Sequence, residues 1–72
     1  MASNWKDILT ERGFTYDTDN EYFKKSLGFG RVIVVDQIVK GLFRITSNDE
    51  ILHDNFISSF DEFKKIIQEK LG

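Results

Sequence analysis

The chain has 72 residues, a net charge of −2, seven Phe, two Tyr, one Trp and no Cys. A chain of this length forms one domain, 1–72, and buries only about 60% of its unfolded surface, so it needs a dense aromatic core. The absence of Cys excludes disulfides, thiolate zinc sites and a cysteine nucleophile, and the near-neutral charge gives no general attraction to nucleic acid or anionic membrane.

The first predicted element is a short helix that begins at Ser3 or Asn4, both good N-cap residues. Its apolar residues, Trp5, Ile8 and Leu9, follow helical spacing. Gly13 ends the helix, and Phe14 then falls at the position that contacts the last helical turn in a Schellman cap.

Two aromatic-rich stretches, 14–17 and 21–27, flank a polar segment and predict a hairpin. In the second stretch Phe23, Lys25 and Leu27 share one face, and Tyr22, Lys24 and Ser26 share the other. Residues 28–30, Gly-Phe-Gly, predict a tight turn that presents Phe29.

The segment 31–40 is the strongest strand candidate because most of its residues are β-branched. Gly41 separates it from a further strand over 42–46, in which Phe43 and Ile45 share a face. The segment 51–57 is predicted as a loop or a short edge strand.

A final helix begins at Ser58 or Ser59, since residues 59–62 match the capping-box pattern S-x-x-E. Its apolar stripe consists of Phe60, Phe63, Ile66, Ile67 and Leu71. The predicted fold class is α+β: one small domain with the order α-β-β-β-(β)-α, in which an antiparallel meander packs against two helices.

Apolar residues occupy both faces of the segment 31–40, although a sheet with helices on one side should have a polar outer side. Either Val32 with Val34, or Ile33 with Val35, must therefore point away from the helices. The predicted sheet-face site consists of Tyr22, Ile33, Val35, Leu42 and Arg44. Such a patch marks a docking site or a homodimer interface, unless a helix or the 51–57 loop covers it.

An acidic segment with no Lys or Arg comprises Asp49, Glu50, Asp54, Asp61 and Glu62. An acidic strip on a compact domain can occupy a cationic groove and imitate nucleic-acid phosphates, as small phage-encoded inhibitors do. The leading hypothesis is a small non-enzymatic protein-binding module, an inhibitor or regulator, that uses this strip, the sheet face, or both. The partner is then a protein, or a second copy of the chain.

A basic segment comprises Lys24, Lys25, Arg31, Lys40 and Arg44, with Asp36 as the one acidic residue among them. Together with Tyr16, Tyr22 and Phe29 as stacking platforms, it supports an alternative function as an RNA- or DNA-binding module.

Two resemblances bear on that alternative. Residues 28–32, Gly-Phe-Gly-Arg-Val, contain the G-F-G-x-V core of the RNA-recognition-motif signature, although the flanking residues and the element order differ. The element order resembles that of the double-stranded RNA-binding domain. That family grips phosphate with a basic cluster at the start of its last helix, where this chain has Asp61 and Glu62.

Asp17, Asp19 and Glu21 are spaced as at the start of a calcium-binding loop. Tyr22 and Gly28 then occupy the positions that require Gly and Glu. We therefore expect a solvated turn and no metal.

His53 is the single histidine, so neither a histidine metal cluster nor a relay through two histidines is available. It stands beside Asp54 and can pair with a Ser, but a two-layer domain of this size leaves little room for a ligand site of about 300 Å³ or more. We expect no enzymatic activity and no cofactor.

The longest uncharged apolar run, 32–35, is far shorter than the roughly 20 residues that cross a membrane, and the N-terminus lacks a signal-peptide core. We expect a cytoplasmic protein. Met1 and the capped final helix lead us to expect a complete unit.

Overall fold

The computed structural model describes residues 4–71, which form two helices and five strands. In chain order these are α1 (Trp5–Glu11), β1 (Thr15–Asp17), β2 (Tyr22–Gly28), β3 (Arg31–Val39), β4 (Leu42–Ser47), β5 (Glu50–Phe56) and α2 (Phe60–Leu71). The strands make one antiparallel sheet in the order β1-β2-β3-β4-β5. The α+β meander is confirmed, with five strands where the predicted order had three and an optional fourth, because the short β1 and the uncertain 50–56 segment both join the sheet.

Both helices begin at capping side chains. The Oδ1 of Asn4 accepts a hydrogen bond of 3.0 Å from the backbone N–H of Asp7, and Ser3 lies outside the described residues. The Oγ of Ser59 accepts one of 3.1 Å from the backbone N–H of Glu62, so Ser59 is the N-cap of α2. Each cap satisfies an N–H that has no partner within its own helix. Neither of these two helices is long and apolar enough to cross a membrane.

The end of α1 is the predicted Schellman cap. Gly13 has a φ of 90°, and the N–H of Phe14 donates to the carbonyl of Leu9 over 2.9 Å. The ammonium of Lys25, on β2, donates to the carbonyl of Arg12 at the same helix end. This contact joins α1 to the sheet and brings a positive charge to the negative end of the helix dipole.

The core lies between one side of the sheet and the two helices. Its buried apolar residues are Ile8, Leu9, Phe14, Phe23, Ile33, Val35, Phe43, Ile45, Ile57, Phe63 and Ile67. Trp5 packs edge-on against Phe23, Phe43 and Phe63, with ring centroids 5.6, 4.9 and 6.1 Å away. Because successive strand residues alternate between faces, this set fixes which side of β2, β3 and β4 faces the helices.

The meander gives the sheet two distinct ends. The turns β1–β2 and β3–β4 and the starts of both helices lie at one end, which we call the cleft end because a cleft opens there. The turns β2–β3 and β4–β5 lie at the other end, the Phe29 end. β5 runs from the Phe29 end to the cleft end, so residues at its two ends are about 20 Å apart.

Candidate functional site

The side of the sheet away from the helices carries side chains from all its long strands. Its cross-strand rows are Ser26 with Val32; Lys24 with Val34, Thr46 and Ile51; Asp36 with Arg44 and Asp54; and Leu42 with Phe56. Tyr22 lies on the same side of β2. We call this surface the open face, because both helices contribute their buried residues to the opposite side. Neither helix therefore packs on the open face.

Several apolar residues on and around the open face are exposed to solvent. Ile51 is 57% and Phe56 is 60% exposed, and both belong to β5. Ile38 and Val39 are also exposed, at a β-bulge near the end of β3. The bulge shifts the register and increases the local twist of the strand. The apolar character is therefore strongest toward the edge strand and the cleft end.

Charged residues cross the middle of the open face. Asp36, Arg44 and Asp54 are cross-strand neighbours on three adjacent strands, and Arg44 Nε lies 3.5 Å from Asp54 Oδ2. On β2, Lys24 Nζ lies 3.2 Å from Asp17 Oδ2. Each basic residue of this face thus has a carboxylate beside it. Such exposed pairs add little stability, and their main effect is to leave the face with almost no net charge.

The predicted sheet-face site is partly wrong. Tyr22, Leu42 and Arg44 do lie on the open face, but Ile33 and Val35 have no exposed surface and pack beneath the helices. The physical reason is the parity of β3, which places Val32 and Val34 on the open face instead. Neither a helix nor the 51–57 segment covers that face, because this segment extends the sheet as β5.

The five acidic residues do not form one strip. Asp49 and Glu50 lie at the Phe29 end, Asp54 lies on the open face beside Arg44, and Asp61 and Glu62 begin α2 at the cleft end. The carboxylate of Glu62 also accepts a hydrogen bond from Ser58. The predicted acidic strip is therefore wrong as a single surface, because β5 spreads its residues along the full length of the sheet.

The basic residues are dispersed as well. Lys24 and Arg44 lie on the open face beside carboxylates, Lys25 binds the end of α1, and Arg31 donates to the hydroxyl of Ser47 at the Phe29 end. Lys40 lies in the β3–β4 turn at the cleft end. The described residues therefore do not unite these five cations on one surface, as a phosphate-binding groove requires.

Asp17 organises the β1–β2 turn. Its carboxylate accepts hydrogen bonds from the side chain of Asn20, from the backbone N–H groups of Asp19 and Asn20, and from Lys24. The Asn20 side chain, together with these other donors, lowers the pKa of Asp17 to about 2. The carboxylate that suggested a calcium ligand thus stabilises the predicted polar turn. Among residues 4–71 no three acidic or histidine side chains are grouped as metal ligands would be.

His53 lies away from Asp54, which projects to the opposite side of β5. The Nε2 of His53 is 3.2 Å from the backbone carbonyl of Asn55, which is its hydrogen-bond partner. The Oδ1 of Asn55 in turn accepts the N–H of Phe56 over 2.8 Å. These contacts occupy polar groups of the edge strand.

A cleft of about 380 Å³ opens at the cleft end, where the two-layer domain was expected to leave little room. Trp5, Phe43 and Phe63 form part of its wall, and Lys40 and Phe60 also line it. The space exists because the starts of both helices and the β3–β4 turn surround it without meeting.

Comparison with protein-family models, with curated proteins and with solved structures finds no match to this chain. The functional argument therefore depends on the surfaces described above.

Proposed function

We propose that this protein is a small non-enzymatic interaction module, an inhibitor or regulator in the cytoplasm, that binds another protein through its open face. The observation that carries the proposal is a sheet whose second side has apolar side chains and no layer packed on it by residues 4–71. Exposed apolar patches on compact domains are characteristic of docking sites.

The size of the open face suits a protein partner. Five strands about 4.8 Å apart and about 20 Å long give a flat footprint of about 500 Å², and protruding side chains increase the accessible area. A standard protein interface buries about 800 Å² on each partner. The open face and the exposed bulge residues Ile38 and Val39 together supply an area of that order.

The charge pattern of the open face favours a protein over a nucleic acid. Asp36 and Asp54 flank Arg44, and Asp17 accompanies Lys24, so carboxylates outnumber cations along this surface. A phosphate backbone needs the reverse ratio. We therefore expect the partner to present an apolar surface with a cation opposite Asp36 or Asp54, since complementary charges fix the orientation of an interface.

The proposal is tested with a charge placed in the centre of the open face. Val34→Lys leaves the core side of β3 unchanged, and Gln68→Lys adds the same charge on an exposed position of α2 as the matched control. Each tagged protein is used to recover partners from the native cell lysate after nuclease treatment. We expect one stoichiometric protein to be recovered by the wild type and by Gln68→Lys, and to be lost with Val34→Lys.

Loss of the partner with both variants, or retention with both, would contradict the open-face assignment. Circular dichroism checks that each variant is folded. Sedimentation at micromolar concentration tests for a homodimer. If the wild type is a dimer and Val34→Lys is a monomer, the partner bound to the open face is a second copy of the chain. Recovery of nucleic acid alone, before nuclease treatment, would replace the proposal with the nucleic-acid alternative.

A further inference from the structure

The β2–β3 turn holds a Phe side chain entirely in solvent. Phe29 is fully exposed, more than any other large apolar residue described. Gly28, Phe29 and Gly30 have φ values of 87°, 55° and 76°. A Cβ added to either glycine meets no atom within 4 Å, so the turn projects into open space. The glycines supply the left-handed backbone that brings Phe29 to the tip.

The projecting turn is held in place by the neighbouring β4–β5 turn. Asn48 donates from Nδ2 to the carbonyl of Gly30 over 3.0 Å, and its Oδ1 accepts the N–H of Val32 over 2.8 Å. Beside them, Arg31 Nε donates to Ser47 Oγ over 3.1 Å. These bonds fix the backbone on one side of Phe29. The backbone that carries the ring is therefore ordered before binding, which reduces the conformational entropy lost when a partner binds.

Phe at this position is unfavourable for the free protein. Two left-handed residues between paired strands form a type I′ turn, whose first position favours Asn or Asp. The β4–β5 turn follows that rule with Asn48 and Asp49, at φ values of 48° and 72°. The β2–β3 turn instead has a bulky residue in the left-handed region, where bulky residues are outliers. The ring makes no aromatic contact that offsets this cost within the described chain.

We propose that Phe29 is a binding anchor that inserts into an apolar pocket of a partner protein, and that the rim of this pocket is basic. Asp49 in the adjoining turn and Glu50 at the start of β5 are both exposed. The β2–β3 and β4–β5 turns with their flanking residues, 28–31 and 47–50, thus carry these two carboxylates and one cation, Arg31. This charge opposes an anionic lipid surface or a nucleic-acid backbone and complements a cationic rim.

The anchor is a separate site from the open face. Phe29 lies at the tip of a turn, beyond the paired residues Ser26 and Val32 that end the open face. A substitution at Phe29 does not alter Val34 or its cross-strand neighbours, and a substitution at Val34 does not alter Phe29. Failure of the open-face proposal therefore leaves the anchor proposal standing, and the two sets of variants distinguish them.

The test places a photo-crosslinker at the tip of the turn in the full-length chain. p-Benzoylphenylalanine replaces Phe29, and in a control protein it replaces Phe60, an exposed Phe at the cleft end. Both are irradiated in native cell lysate. We expect position 29 to give one discrete protein adduct, suppressed by excess wild-type protein and not by excess Phe29→Asn. The crosslinked peptide of the partner is expected to line an apolar pocket next to Lys or Arg.

Affinity for that purified partner supplies the quantitative result. A central aromatic anchor whose removal weakens binding at least about 30-fold is a hot spot, and we expect that loss for Phe29→Asn. The proposal is overturned if position 29 gives no adduct, adducts only with lipid or nucleic acid, or the same adducts as position 60. It is also overturned if Phe29→Asn binds the purified partner as tightly as the wild type.

Discussion

Replacing Phe29 with Asn is expected to stabilise the free protein, because folding gains nothing from the Phe ring. The left-handed conformation costs most L-residues about 1–2 kcal/mol, and Asn tolerates it better than other side chains do. Because Phe29 is fully exposed, the substitution removes no buried contact. We therefore expect the free energy of unfolding to rise by about 1 kcal/mol, which is a roughly fivefold increase in the folding equilibrium constant.

Urea unfolding monitored by Trp5 fluorescence measures this change. The Trp5 ring contacts Phe23, Phe43 and Phe63, so its emission reports the core that unfolds. Small proteins have urea m-values of about 1 kcal/mol/M at the low end, so a gain of about 1 kcal/mol moves the midpoint up by about 1 M at constant m. In a thermal melt the same gain raises Tm by about 4–8 °C.

Two further variants separate the backbone effect from the loss of apolar surface. Phe29→Ala also removes the ring but has no preference for the left-handed region, so it should unfold close to the wild type. Asn48→Phe puts the disfavoured residue into the other turn and removes two hydrogen bonds, so it should lose about 2 kcal/mol or more. If Phe29→Asn is neutral or destabilising, Phe29 has a favourable role in the fold and the strain argument fails.

Three other predictions concern the turn, the sheet and a helix cap. Asp17→Asn should destabilise the protein at neutral pH, because the folded-state pKa of Asp17 is lowered from 3.8 to about 2. The stabilisation from the carboxylate is fully present above pH 3.8 and is lost as the pH falls to about 2, so the difference between variant and wild type in urea titrations should close over that range. Ile33→Ala should cost about 3 kcal/mol by denaturation, whereas Val32→Ala, on the open face, should cost about 1 kcal/mol; equal costs would contradict the parity of β3. Ser59→Ala should lose about 1 kcal/mol and reduce helical circular dichroism, and Ser58→Ala should have a smaller effect.

Local signals in the sequence predicted the features that local chemistry decides. Asn4, Gly13 and Ser59 cap the helices as expected, because each acts on backbone groups within a few residues of itself. The Gly28–Gly30 turn and the alternation along β2 were also correct for this reason. The α+β class followed from the order of these elements.

The choice between the two faces of β3 could not be made from the sequence. Val32 and Val34 are as apolar as Ile33 and Val35, so the pattern alone has no preferred parity. The choice depends on where the helices pack, which is a property of the assembled layers. The predicted sheet-face set therefore combined three residues of the open face with two residues of the core.

The acidic residues show how closeness in sequence misleads about closeness in space. Glu50 and Asp54 are four residues apart, and in a helix that spacing places side chains on one face about 6 Å apart. In β5, at about 3.3 Å per residue, the same spacing covers about 13 Å. Because 51–57 was not assigned firmly as a strand, the sequence did not reveal that β5 would separate these residues.

The order of the strands also bears on how quickly the chain folds. Every strand of the meander pairs with the next one along the sequence, so each hairpin closes a short loop and loses little chain entropy. The contact between α1 and α2 instead joins segments separated by the whole sheet. A small average sequence separation between contacting residues is associated with fast folding. Forming the hairpins one after another requires only contacts between neighbouring parts of the chain. Docking of the two helices over the finished sheet is then the step that brings together distant parts of the chain.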